Sequence, residues 1–98
     1  EYITYYESGA IEQKGNFVDG KAQGEYIGYY ESGEIEYKSN SVDGGRQGES
    51  IEYYESGEVM SKSNYDVDGN LQGERIIYYK SGEIKEIKNY KDGELIKD

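Results

Sequence analysis

The segment YYESG occurs at Tyr5–Gly9, Tyr29–Gly33 and Tyr53–Gly57, and a one-letter variant, YYKSG, stands at Tyr78–Gly82. Ile3, Ile27, Ile51 and Ile76 precede the four copies; Ile11, Ile35, Val59 and Ile84 follow them. The copies begin 24, 24 and then 25 residues apart. Self-similarity at a fixed period of this size signals a repeat architecture, in which each unit gains stability from its neighbours. The 98 residues divide into repeats at about 1–24, 25–48, 49–73 and 74–98, which form a single repeat domain.

Within a unit the pattern is that of a hairpin. Residues 25–48 read GEYIGYYESG from Gly24, then EIEYKSNSVDG, then GRQG. Two runs rich in Ile and Tyr flank the turn at Glu31, Ser32 and Gly33, and a second Gly-rich turn follows at Asp43, Gly44 and Gly45. β-branched and aromatic runs bounded by Gly, Asp and Ser clusters mark strands. Helix is disfavoured, because apolar residues alternate and Gly recurs too often. Four units predict about eight short strands: an all-β, elongated, single-layer antiparallel meander of about four β-hairpin repeats.

Register depends on the first turn. Gly9, Gly33, Gly57 and Gly82 are expected at its tip with positive φ, which Gly takes without strain. Ser before Gly does not suit a primed two-residue turn, so a three-residue loop with a Gly bulge is expected. Tyr29 then faces Ile35 and Ile27 faces Tyr37, which puts these four side chains on one apolar face. Along the second strand, Ile11, Gln13, Gly15 and Phe17 are expected to share a face, as are Ile35, Tyr37 and Ser39.

Composition alone resembles that of disordered chains: 34% hydrophobic, 33% charged, mean hydropathy −1.04. Thirteen Tyr in register and the absence of Pro argue for a fold instead. The formal net charge of −10 disfavours nucleic acid, whose binding rests on phosphate neutralisation by Lys and Arg, and disfavours anionic membranes equally. A basic protein partner would be steered in by this field. With no His and no Cys, a catalytic triad, a thiolate nucleophile and a disulfide framework are all excluded. Carboxylates recur with the repeat rather than marking one place, so the chain is expected not to be an enzyme and to need no cofactor.

The unit G-E-x-I-x-Y-Y-E-S-G-E-I followed by N-x-x-D-G resembles the MORN repeat. More closely, it looks like the bacterial MORN variant found in YwqK-like antitoxin components. The matching residues are Tyr29, Tyr30, Glu31, Ser32, Gly33, Asp43 and Gly44, with equivalents in the other copies. The resemblance covers nearly the whole chain. It implies hairpins assembled into an elongated sheet that serves as a scaffold, in a bacterial setting, and it leaves the compartment open, with export or the cell surface compatible. A looser resemblance is to aromatic-Gly repeats of choline- or glucan-binding modules, which use Trp and a shorter unit.

Three local patterns bear on binding. Tyr6, Tyr30, Tyr54 and Tyr79 are expected to form a row along the sheet. Tyr offers a large contact area with a polar tip, so this row is the candidate binding surface. Asn16, Asn40, Asn64 and Asn89 recur in all four units and are read as turn caps acting through their side chains. Asn64, Asp66, Asp68 and Gly69 match the opening of a Ca²⁺ loop, but Arg75 occupies the place of the bidentate Glu, so no metal is expected. The expected function is a non-enzymatic protein-binding or scaffold module. The alternatives are a cell-surface carbohydrate-binding module using the Tyr row and an antitoxin that binds a basic toxin. An open meander also leaves two edges. Weak self-association is expected through the first strand, around Tyr2–Tyr6, with a copy of itself or an upstream repeat. The last segment, Glu94–Lys97, is expected to be guarded by Lys97 and Asp98. Salt is expected to strengthen the association by screening the net charge.

Overall fold

The computed structural model describes residues 1–96, and Lys97 and Asp98 with their expected guarding role lie outside the described residues. Twelve strands and no helix occur among them. The long ones are β1 (Tyr2–Tyr5), β2 (Ile11–Gly15), β5 (Gly24–Tyr29), β6 (Ile35–Val42), β8 (Gly48–Tyr53), β9 (Val59–Tyr65), β10 (Gly73–Tyr78) and β11 (Ile84–Lys91). Short ones are β3 (Phe17–Val18), β4 (Lys21–Ala22), β7 (Gly45–Arg46) and β12 (Glu94–Ile96). The main sheet runs β1-β2-β5-β6-β8-β9-β10-β11-β12, with β7 joined to β6, while β3 and β4 pair separately. All pairing is antiparallel. The result is an elongated slab of 47 × 36 × 15 Å, one sheet thick. No hydrophobic residue is buried among the described residues, so the sheet has no closed core.

Both turns follow from their residues. At the first, Tyr30 N–H donates to Glu34 C=O (2.8 Å) and Gly33 N–H to Tyr30 C=O (2.9 Å), which closes the expected three-residue loop. Gly9, Gly33, Gly57 and Gly82 have φ of 97°, 97°, 103° and 95°. Ser32 Oγ accepts a long bond from Glu34 N–H (3.4 Å), and Ser8 and Ser81 repeat it, which accounts for Ser before Gly. At the second turn, Asp19-Gly20, Asp43-Gly44 and Asp92-Gly93 all have positive φ, the two-residue I′ geometry for which Asp-Gly is suited. The extra residue of the third repeat converts that turn to a second Gly loop. There Gly69 N–H donates to Asp66 C=O (2.9 Å), and the Asp66 carboxylate accepts the N–H groups of Asp68 and Asn70.

The expected register holds at the turn and fails one step beyond it. Tyr29 does face Ile35, but Gly28 then faces Tyr37 and Ile27 faces Lys38. One extra residue, Glu36, bulges out of β6. The same shift occurs between Thr4 and Tyr5, Glu52 and Tyr53, and Ile77 and Tyr78. A bulge moves everything beyond it to the other face. Ile27, Tyr29 and Ile35 therefore share one face, whereas Tyr37 joins Tyr26 on the opposite one. Likewise Ile11 parts from Gln13 and Gly15. The bulge is satisfied because Tyr37 has Gly28 opposite it. Its ring lies where a Cβ on Gly28 would be, 2.2 Å from Tyr37 Cε2, and Tyr26 covers Gly15 in the same way at 2.5 Å.

Two faces result. On the first, Ile3, Lys14, Ile27, Lys38, Ile51, Lys62, Ile76 and Ile87 form one unbroken row, each paired directly with the next. Lys stems can cover the Ile side chains beside them while their ammonium groups stay in water. This is the lysine face. The other carries Tyr26, Tyr37, Ser39, Ser41, Ser50, Ser61 and Ser63, and is the serine face.

Candidate functional site

The tyrosine row is first a set of ties between repeats. Tyr6 hydroxyl donates to Tyr29 C=O (2.5 Å), Tyr30 to Tyr53 C=O (2.7 Å) and Tyr54 to Tyr78 C=O (2.7 Å). Each bond reaches the first Tyr of the next YY pair. Burial, then the carboxylates of Glu36, Glu12 and Glu31, hold the Tyr6 phenol above its usual range. Burial, Glu36, Glu55 and Glu52 do the same for Tyr30. Both hydroxyls thus remain protonated donors at neutral pH. Tyr79 has no such acceptor among the described residues and is 51% exposed.

A second set of ties was not anticipated. Gln23 Oε1 accepts Asp43 N–H (2.7 Å) and Gln72 Oε1 accepts Asp92 N–H (2.7 Å), binding the Asp43-Gly44 and Asp92-Gly93 turns to the preceding repeat. The caps at Asn16, Asn40 and Asn64 run through the backbone rather than the side chain. Their carbonyls accept the N–H groups of Gln23, Gln47 and Gln72 at 2.8 to 2.9 Å.

The serine face holds a groove of about 790 Å³, which the sequence did not reveal. Its floor is small. Ser50 pairs directly with Ser63, Ser39 lies opposite Tyr26, and Ser41 opposite Gly24. Ser41 and Ser63 are buried, as is Ser61 close by. One wall is the Tyr26–Tyr37 pair, whose rings are 6.2 Å apart and nearly parallel at 16°. Burial, then Tyr26 and Glu36, raise the Tyr37 phenol, while Arg46 lowers it. The other wall is Tyr65 with Arg46. The guanidinium sits 5.4 Å from the ring centroid and donates to the Tyr65 hydroxyl at 2.9 Å.

Charge is distributed unevenly here. Arg46 and Arg75 are the only two arginines of the chain, and both line the groove, with Lys21. Glu52 is its one carboxylate; it accepts from Ser61 Oγ (3.1 Å) and lies 4.0 Å from Arg75. Among the described residues, no carboxylate pairs with Arg46. A chain of net charge −10 therefore carries one locally cationic, aromatic-walled cleft. Arg presents a planar fork matched to a carboxylate, and Tyr walls suit flat or apolar groups. The signal was present in the sequence as departures from the repeat: Ser at alternate positions in the second and third units, and Arg in a chain that otherwise uses Lys.

A family model described as a MORN repeat variant matches residues 1–19, 22–43, 46–66 and 71–92. No curated protein and no solved structure matches the chain.

Proposed function

The chain belongs to the MORN repeat variant family, and from that premise we propose that it is a non-enzymatic protein-binding scaffold module whose binding site is the groove of the serine face. MORN repeats commonly mediate protein interactions. The observation that carries the reading is Arg46, a guanidinium with no carboxylate partner among the described residues, held on Tyr65 at the wall of the groove. The partner is a protein segment, extended enough to lie along the small serine floor. It presents one carboxylate to Arg46 and Arg75 and a flat side chain to Tyr26 and Tyr37. Because the rest of the molecule is acidic, the segment is otherwise neutral or basic, and the surrounding field steers it in. Tyr6, Tyr30 and Tyr54 serve this site indirectly, through hydroxyl bonds that keep adjacent repeats in register.

Selection from a display library of random peptides tests the reading. Enriched segments should combine Asp or Glu with an aromatic residue and lack further acidic residues. The double variant Arg46→Glu and Arg75→Glu should lower affinity for them at least tenfold, with an unchanged strand spectrum by circular dichroism. Peptides that bind the double variant equally well would refute the groove. Saturable binding on a glycan array, lost in the same variant, would shift the function to carbohydrate recognition.

A further inference from the structure

The groove is dipolar along the direction of its strands. Arg46 lies directly opposite Ser41, and Glu52 lies directly opposite Tyr37, so both charged residues stand on the serine face beside β6. Tyr37 and Ser41 are four residues apart on that strand, which separates the two charged positions by about 13 Å. Between them lie Ser39 and the Ser50–Ser63 pair, with Tyr26 directly opposite Ser39. One end of this small floor is cationic and the other is anionic.

Glu52 is itself a departure from the repeat. By register its equivalents are Thr4, Gly28 and Ile77, none of them charged. The hydroxyl of the buried Ser61 donates to its carboxylate at 3.1 Å and fixes it from below. Tyr37 stands directly across from it, and a carboxylate beside an aromatic ring suits an ammonium or guanidinium group. Among the described residues the cation nearest to Glu52 is Arg75, at 4.0 Å, and the Glu52 side chain is 53% exposed. An ion pair so long and so exposed contributes little, so a cation from a partner displaces Arg75 at little cost. The displaced Arg75 is then free to join Arg46 on the partner's carboxylate.

We propose that Glu52 is a second, oppositely charged subsite of the groove, selecting a partner segment that carries Lys or Arg four residues from its carboxylate. This rests on the groove being the binding site. In an extended segment, alternate residues point to one side, and four residues advance by about 13 Å. An acidic side chain at one position therefore reaches Arg46 while a basic one four residues away reaches Glu52. The residue midway between them points to the same side and rests on the serine floor beside Tyr26, where a flat side chain fits. Both chain directions satisfy the spacing. Glu52 also repels a second carboxylate at its end of the groove.

Parallel selections from one library of random peptides test this, on the unmodified chain, Glu52→Gln and Glu52→Lys, in salt that screens the general field of the molecule. On the unmodified chain, enriched segments should place Lys or Arg four residues from Asp or Glu, on either side, with an aromatic residue midway. Glu52→Gln should keep the acid and the aromatic residue and lose the base. Glu52→Lys should replace the base by a second acid. Retention of the acid shows that the variants are folded. Exchanging the base for Gln in an enriched peptide should weaken its binding to the unmodified chain about fivefold, the scale of one half-exposed ion pair, and leave its binding to Glu52→Gln unchanged. The same base preference in Glu52→Gln, a base enriched equally at every spacing, no effect of the peptide exchange on the unmodified chain, or an acid enriched there with no base would overturn the subsite and leave the groove standing. Segments with no preferred acid would overturn both.

Discussion

Glycine has two distinct uses in this chain, and only one of them shows in the sequence. Gly33 and its equivalents are required by φ near 100°, and their place after Ser in a Tyr-rich repeat announces this. Gly28 has no such backbone requirement. It is there because the Tyr37 ring occupies the space of its side chain, with Cε2 and Cζ at 2.2 and 2.3 Å from an added Cβ. Gly28→Ala should destabilise the chain by about 1–3 kcal/mol, measured by urea unfolding, because the ring must move off the sheet. Gly45→Ala, where the nearest atom is a carbonyl oxygen at 3.8 Å, should change it by less than about 0.5 kcal/mol. The Gly28–Tyr37 contact was not legible because of the bulge at Glu36. Ile35, Tyr37 and Ser39 alternate as an unbroken strand would, so nothing in the pattern marks the residue at which the faces exchange.

The hairpin elements were legible; what joins them was not. Turn residues and alternating apolar positions are local, and they predict each strand pair. The ties between hairpins are long in sequence. Tyr30 reaches Tyr53 and Tyr54 reaches Tyr78, 23 and 24 residues away. That separation is close to the repeat period itself, so the recurrence of YY holds the information, but composition and exposure point to a surface row instead. A neutral hydrogen bond contributes about 0.5–1.5 kcal/mol net. Tyr30→Phe should lower unfolding free energy by about that amount. Tyr79→Phe should leave it within about 0.5 kcal/mol in dilute solution, since its hydroxyl has no acceptor among the described residues. Equal losses in the two variants, by the same urea titration, would contradict the role assigned to these hydroxyls.

As a whole, the molecule is a thin sheet stabilised between neighbours rather than by a closed core. Cross-strand pairs on its two faces each contribute about 0.2–1 kcal/mol, and the repeats sum them in one dimension. A perfectly regular array would present the same surface at every step and no distinct site. The groove exists because the second and third units depart from the pattern, placing Ser41, Ser50 and Ser61 where the other units have larger side chains and adding Arg46. What the units share fixes the architecture, whereas the groove lies in what they do not share. The proposed function turns on where a partner segment lies. The direct measurement is NMR of the labelled chain titrated with a selected peptide, observing Tyr ring, Arg side-chain and Ile methyl signals. Tyr26, Tyr37, Tyr65 and the Nε–H groups of Arg46 and Arg75 should shift in a saturable way, with the methyl groups of Ile27, Ile51 and Ile76 unmoved. Shifts concentrated on those Ile methyl groups, with both arginines silent, would place binding on the lysine face and contradict the account.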